Sequence, residues 1–177
     1  MYANRFDSSP DEVSAYVRSL LDLVGERDPV MLLGEMSSRL RELLSGLSDE
    51  TLRRPEAAGK WSIADVVAHL ADSELVYAFR YRMIVGHDEP ALAGYDQDAW
   101  AQRYATIPID ESLELFDVVR KSNLRLLHAL TPEQWLRASM HSERGRETIE
   151  RLAKLHAAHD IVHSRQIARI RDAAAEK

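Results

Sequence analysis

Residues 149–170 read IERLAKLHAAHDIVHSRQIARI, and the spacing within this stretch decides the fold. Ile149, Leu152, Leu155, Val162, Ile167 and Ile170 recur at intervals that put them on one side of a helix. The pattern predicts a helix over about 147–172, the longest in the chain and the least purely apolar, because His156, His159, His163 and Gln166 stand among the aliphatic positions.

Three further long segments repeat apolar residues at the same period. One covers about 29–46, with Pro29 suited to a first helical turn and Leu32, Met36, Leu40, Leu43 and Leu47 as its stripe. Another begins at Ser62, where Ser62 and Asp65 have the spacing of an N-cap and its reciprocal partner, and runs to about Gly86 through Ile63, Val66, Leu70, Tyr77 and Tyr81. The third runs from about Asp110 to Leu130 through Leu113, Phe116 and Leu127, where Thr131-Pro132 ends it or begins a short turn. About residues 10–24, closed by Gly25, read as a short accessory helix. Nothing alternates with period two for long enough to predict a strand, so the expected class is all-α.

Between Gly86 and Asp110 lie about twenty residues, His87 to Pro108, with little regular pattern. A 20-residue helix spans roughly 30 Å, and such a connection can cross that length. It predicts an up-down-down-up four-helix bundle whose second and third helices run parallel. Tyr95, Trp100 and Tyr104 favour a crossover that packs over one that is disordered.

The chain of 177 residues suits a single domain, residues 1–177 with a core of about 28–172. A net charge of −6 argues against a nucleic-acid partner, since Lys and Arg supply most non-specific affinity for phosphate. The absence of cysteine removes thiolate ligands and cysteine nucleophiles, so any thiol must arrive with the substrate. Met1 to Asp7 lacks the apolar core of a signal peptide and no stretch has the length of a membrane span, which leads to the expectation of a cytoplasmic protein with no membrane partner.

His159 and His163, four residues apart, differ by about 40° around a helix and about 6 Å along it, so both imidazoles can reach one ion. By itself such a pair is a weak motif. Gln166 falls on the same face, and His69 lies in the middle of the second main helix, where an imidazole must be hydrogen-bonded, exposed or liganded. Metal ligation and solvated or core-capping histidines both satisfy that requirement.

The run Gly59-Lys60-Trp61-Ser62-Ile63 with Val66 and His69-Leu70-Ala71-Asp72-Ser73-Glu74, followed by His159-Asp160-Ile161-Val162-His163-Ser164-Arg165-Gln166-Ile167, resembles the DinB/YfiT-like superfamily over essentially residues 28–172. The resemblance implies a four-helix bundle, often dimeric, with a divalent metal such as nickel or zinc held by three histidines. Carried over, these are His69, His159 and His163. Relatives include bacillithiol S-transferases, a mycothiol-dependent isomerase and members described only as metal-dependent hydrolases. The implied function is metal activation of a low-molecular-weight thiol or of water, for S-transfer or hydrolysis of a small-molecule substrate. The alternative is a metal- or small-molecule-binding bundle without catalysis. Arg165 departs from the glycine that many relatives carry there, so a bulky cation stands where it can reshape the mouth of the site or pair with a substrate carboxylate.

Around these positions, Asp72, Glu74 and Asp160 are the candidate acids or bases, none of them secure. Ser73, Gln166 and His156 are candidates for supporting the ligands or lining the pocket, and His156 could also replace His163 as the partner of His159. Asp160 follows a ligand by one residue, points about 100° away and is a poor direct ligand. Arg80, Arg82 and Arg120 with Asn123 are candidates for an anionic substrate group. Tyr77, Tyr81, Trp61, Trp100 and Trp135 are pocket or packing residues, and His87, His128 and His141 are expected to be exposed.

Overall fold

The computed structural model describes residues 10–175, so the opening segment Met1 to Asp7 lies outside the described residues. Four long helices form the bundle: α2 (Pro29–Leu44), α4 (Ile63–Gly86), α6 (Ile109–His128) and α8 (Ile149–Ala175). α1 (Pro10–Val24) packs on α8 and ends where Gly25 takes the left-handed backbone conformation at φ 59°. Short helices α3 (Asp49–Arg53), α5 (Gln97–Ala101) and α7 (Pro132–Trp135) and a 3₁₀ turn (Tyr104–Thr106) fill the connections.

Side-chain pairings give the helix directions. α4 and α6 are parallel, since Glu74 meets Arg120 and, further along both helices, Arg82 meets Ser122 and Asn123. α4 and α8 are antiparallel, since His69 faces His163 while Tyr77 faces His156. α2 follows α8: Leu33 shares a core cluster with Leu155, and Leu40 and Leu43 share another with Ile167 and Ile170. The two parallel helices α4 and α6 are joined by residues 87–108.

Local chemistry explains the element starts. Ser62 Oγ accepts from Asp65 N–H while Asp65 accepts from Ser62 N–H, so two of the amide groups orphaned at the head of α4 are satisfied. Asp28 accepts from Val30 N–H before Pro29, and Thr131 with Gln134 forms a second reciprocal cap. The stripe of α2 is headed by Leu33 at 1% exposure and not by Leu32, which is only half-buried.

To the helical bundle the structure adds a small three-stranded sheet that the sequence did not announce. β2 (Ala138–His141) and β3 (Gly145–Thr148) form an antiparallel hairpin, and β1 (Ala91–Leu92) from the α4–α6 connection pairs parallel with β2. Strands of two to four residues are too short to leave a period-two signature. Gly145, at φ 71°, supplies the left-handed residue that closes the turn.

The apolar core is divided. One cluster gathers Leu33, Tyr81, Leu127, Leu152 and Leu155, the other Met36, Leu40, Val67, Leu70, Phe116 and Ile167. Between them lies a polar layer of side chains from α4, α6 and α8, centred on Arg120, which α2 meets through the Leu33 carbonyl.

Candidate metal centre

His69 on α4 and His159 and His163 on α8 bring one ring nitrogen each to within 4.8 Å of one another. The Nε2 atoms of His69 and His159 are 2.9 Å apart, and all three ring centroids lie between 4.4 and 4.9 Å of each other. Two facing Nε2 atoms can share one proton as a hydrogen bond; the other way to satisfy both lone pairs is a common cation. His163 Nδ1 lies 2.9 Å from Gln166 Oε1, a carbonyl that can only accept, so Nδ1 carries the proton and Nε2 the lone pair. His69 Nδ1 is sealed in the core without a hydrogen-bond partner, leaving Nε2 as the engaged nitrogen of that ring.

The electrostatics keep these imidazoles neutral. Burial pushes His69 and His159 well below the ordinary histidine range, and the neighbouring imidazoles add to the effect. Burial likewise takes His163 to about 4, although its bond to Gln166 works the other way. Neutral imidazole is the form that binds a metal. The donor set therefore fits a divalent transition metal. Two nitrogens each about 2.1 Å from one ion are at most about 4.2 Å apart, so the widest pair closes by only a fraction of an ångström.

Aromatic walls enclose the trio. The Trp61 ring lies 4.8 Å from that of His69 and 6.4 Å from that of His163, and Tyr104 meets Trp61 edge-on at 6.0 Å. Tyr104 comes from the connection that crosses the bundle. Asp72 sits half-buried beside the Tyr104 phenol, and burial raises its carboxyl above the usual range. Ser73 Oγ and Tyr95 Oη are 3.2 Å apart, tying α4 to the same connection.

The other two candidate acids belong to the polar layer. Arg120 donates to Glu74 through Nε at 3.0 Å and Nη2 at 2.6 Å, and through Nη1 to the Leu33 carbonyl at 2.6 Å, while Nη1 lies 2.8 Å from Asp160 Oδ2. One guanidinium on α6 thus touches α4, α2 and α8. His156 joins Glu74 at 2.5 Å, its ring stacked on Tyr77 at 3.7 Å, and Asn123 donates to Glu74 at 3.0 Å. Burial works to raise the Glu74 carboxyl, but His156 and Arg120 outweigh it and bring it down to about 2. Burial leaves Asp160 raised despite Arg120.

Several expectations change accordingly. Arg120 and Asn123 are committed to Glu74 and offer nothing to an anionic substrate, and Arg82 is spent on Ser122 and Asn123. Arg165 is exposed. His87 and His128 are exposed, but His141 is 3% exposed: it ends β2, with Nδ1 accepting from Glu143 N–H and Nε2 3.2 Å from Arg80. Burial first, then Arg144 and Arg80, brings His141 down to about 3. The signal for its burial was the turn Ser142-Glu143-Arg144-Gly145 between two short polar strands, which places His141 at a hairpin end.

With this geometry in place, comparison with known proteins settles the family. The sequence pattern of the DinB superfamily matches residues 32–167. The chain belongs to the DinB superfamily. A relative from Geobacillus kaustophilus, named a "putative metal-dependent hydrolase", is 32% identical over 139 residues, covering 77% of this chain and 78% of its own. The Bacillus subtilis YfiT, named likewise, is 28% identical over 146 residues, covering 79% of this chain and 82% of its own. A solved structure of the Bacillus subtilis YfiT, described as "a probable metal-dependent hydrolase with an unusual four-helix bundle topology", superposes with a TM-score of 0.78 at 26% identity. It covers 83% of this chain and 86% of that one. The shared topology is the DinB four-helix bundle. Among the described residues no helix is long and apolar enough to cross a membrane.

Proposed function

We propose that this protein is a metal-dependent enzyme, a hydrolase in the first instance, in which His69, His159 and His163 hold a divalent metal such as nickel or zinc. The observation that carries the reading is the convergence of three neutral imidazoles from two helices, one of them oriented by Gln166. An ion held there would supply the activation of water, or of an arriving thiol, as a nucleophile near neutral pH.

The chain's own groups do the rest. Trp61 and Tyr104 keep bulk water from one side of the trio. Gln166 fixes the tautomer of His163. Asp72 handles the proton: it has no ion-pair partner among the described residues, burial raises its carboxyl, and it lies one turn beyond His69. Glu74, Asp160 and His156 act at a remove, by holding α4, α6 and α8 in register around the trio.

Water is the nucleophile we favour, because the relatives are named as hydrolases. S-transfer remains the finer alternative, and with no cysteine in the chain it requires a low-molecular-weight thiol as cosubstrate. The metal-loaded protein should hydrolyse a member of a panel of small amides and esters, with at least 100-fold loss in Asp72→Asn. Conjugation of monochlorobimane by several cellular thiols in place of hydrolysis would turn the reading to S-transfer. Inactivity in both assays with metal bound would leave a binding bundle without catalysis. The protein is further proposed to be a cytoplasmic homodimer, with exposed Leu75 and Phe79 on α4 and Leu115 and Val118 on α6 as its contact face. Phe79→Glu should then give a monomer by light scattering.

A further inference from the structure

Of the two arginines on α4, neither of which forms an ion pair among the described residues, Arg80 is buried and Arg82 exposed. Arg80 is 6% exposed, yet among the described residues no carboxylate lies within 4.0 Å of it. Its Nη2 donates to the Ala93 carbonyl at 3.0 Å and lies 3.2 Å from His141 Nε2, its two polar contacts among the described residues. Nε and Nη1 make no hydrogen bond and are not sealed from solvent. Leaving a buried guanidinium with a neutral imidazole and a carbonyl is costly, because neither returns the charge lost from water. Burial, and then the like charge of Arg144, destabilise its charged form.

Arg144, in the β2–β3 turn, is a second cation of the same corner. Glu147 takes its Nε at 2.7 Å and its Nη2 at 2.8 Å, while Nη1 makes no hydrogen bond and is not sealed either. With His141 neutral, the two guanidinium groups face one buried carboxylate, Glu147, and the exposed Glu143 of the same turn. Helical spacing connects it to the metal centre. His69, Ser73, Tyr77 and Arg80 follow one another by four, four and three residues on one face of α4. Arg80 stands about 16 Å along the axis from His69, and its side chain leans back towards that end of the helix. Tyr77 links the two places: its ring meets that of His159 at 6.4 Å, and its hydroxyl lies in the field of Arg80 and Arg144.

We propose that Arg80 and Arg144 form the subsite for an anionic group, a carboxylate or a phosphate, at the far end of an extended substrate whose reactive end lies at the three histidines. The substrate class is therefore a small-molecule oxyanion, recognised by the open N–H groups of two guanidinium planes. This rests on the metal-enzyme reading for the reactive end, but the anion subsite is physically separate from it. Of the sequence candidates for charge recognition, Arg80 alone remains, joined by a residue of the hairpin.

The test is calorimetric titration of the metal-loaded protein with sodium acetate and, separately, inorganic phosphate at constant ionic strength. Saturable one-site binding of at least one is expected, and the better of the two tells which oxyanion the substrate carries. Arg80→Met should weaken that binding at least 10-fold and Arg144→Met at least threefold, while Arg41→Met, which removes an exposed pair with Asp117, should stay within twofold. If Arg80→Met does not fold, Arg80→Lys decides, with at least threefold weakening expected. His69→Ala should keep the anion affinity, so failure of the metal reading leaves a different trace. Absence of saturable binding to the wild type, or variant affinities within twofold of it, would overturn the proposal.

Discussion

Arg120→Met removes the guanidinium that touches all the other bundle helices while keeping most of its volume. Its partners respond unequally. Glu74 retains His156 at 2.5 Å and Asn123 at 3.0 Å, but Asp160, 3% exposed, has no other ion-pair partner among the described residues. Breaking one buried ion pair by removing one partner costs about 3–5 kcal/mol, and the Leu33 carbonyl loses a 2.6 Å donor worth roughly 1 kcal/mol more. A total near 5 kcal/mol is a large share of the stability of a single domain, and at about 2–4 °C per kcal/mol it lowers Tm by roughly 10–20 °C. Because the stranded charge at Asp160 dominates, Arg120→Met/Asp160→Asn should recover at least about 1.5 kcal/mol relative to additivity. Urea unfolding of the four proteins at pH 7.5 measures both quantities. A loss below about 1 kcal/mol in the single variant, or strict additivity in the double, would refute the view that this layer fastens the helices around the histidines.

Three further outcomes are expected. Stability should fall with acidity in two stages. The folded His69, His159 and His163 refuse protons that the unfolded chain accepts near pH 6.5, so their contribution is complete above that value and, for His163, drains by about 3 kcal/mol towards pH 4. Glu74, held at about 2 against 4.5 unfolded, adds a further loss below pH 4.5, and urea midpoints that stay flat between pH 7 and pH 5 would contradict the first stage. Gln166→Leu should weaken metal affinity 10–100-fold with the fold intact by circular dichroism, since the imidazole of His163 loses the group that fixes its tautomer. Ser62→Ala should cost about 1 kcal/mol in thermal unfolding by opening the cap of α4, and an unchanged Tm would deny the cap its role.

Much of the architecture was readable because it rests on period and caps. The stripes through Met36, Leu40 and Leu43, through Ile63, Val66 and Leu70, and through Ile149, Leu152 and Leu155 are local patterns, and the Ser62 and Asp65 cap is local too. The sheet was not readable, because β1 is two residues long and its partner lies almost fifty residues away. His141 was misjudged for the same reason: its burial follows from the hairpin and not from its neighbours in sequence. At the centre, His69 and the pair His159 and His163 were legible as candidates from position, and Gln166 from its place on their face. The fate of Glu74 and Asp160 was not legible, since nothing in α4 or α8 announces that Arg120, forty or more residues from either, reaches between them. Arg80 was one of four polar candidates until the structure showed it buried without an ion pair, with Arg120 and Asn123 committed to Glu74 and Arg82 exposed on Ser122 and Asn123.

The central claim is that His69, His159 and His163 together hold one divalent ion. Metal analysis of protein purified without a polyhistidine tag tests it most directly, with the wild type beside His69→Ala, His159→Ala, His163→Ala and His156→Ala. The account predicts about one equivalent of metal in the wild type and in His156→Ala, and its loss from each of the other three. Equal metal content across all five, or none in a folded wild type offered nickel and zinc, would contradict it.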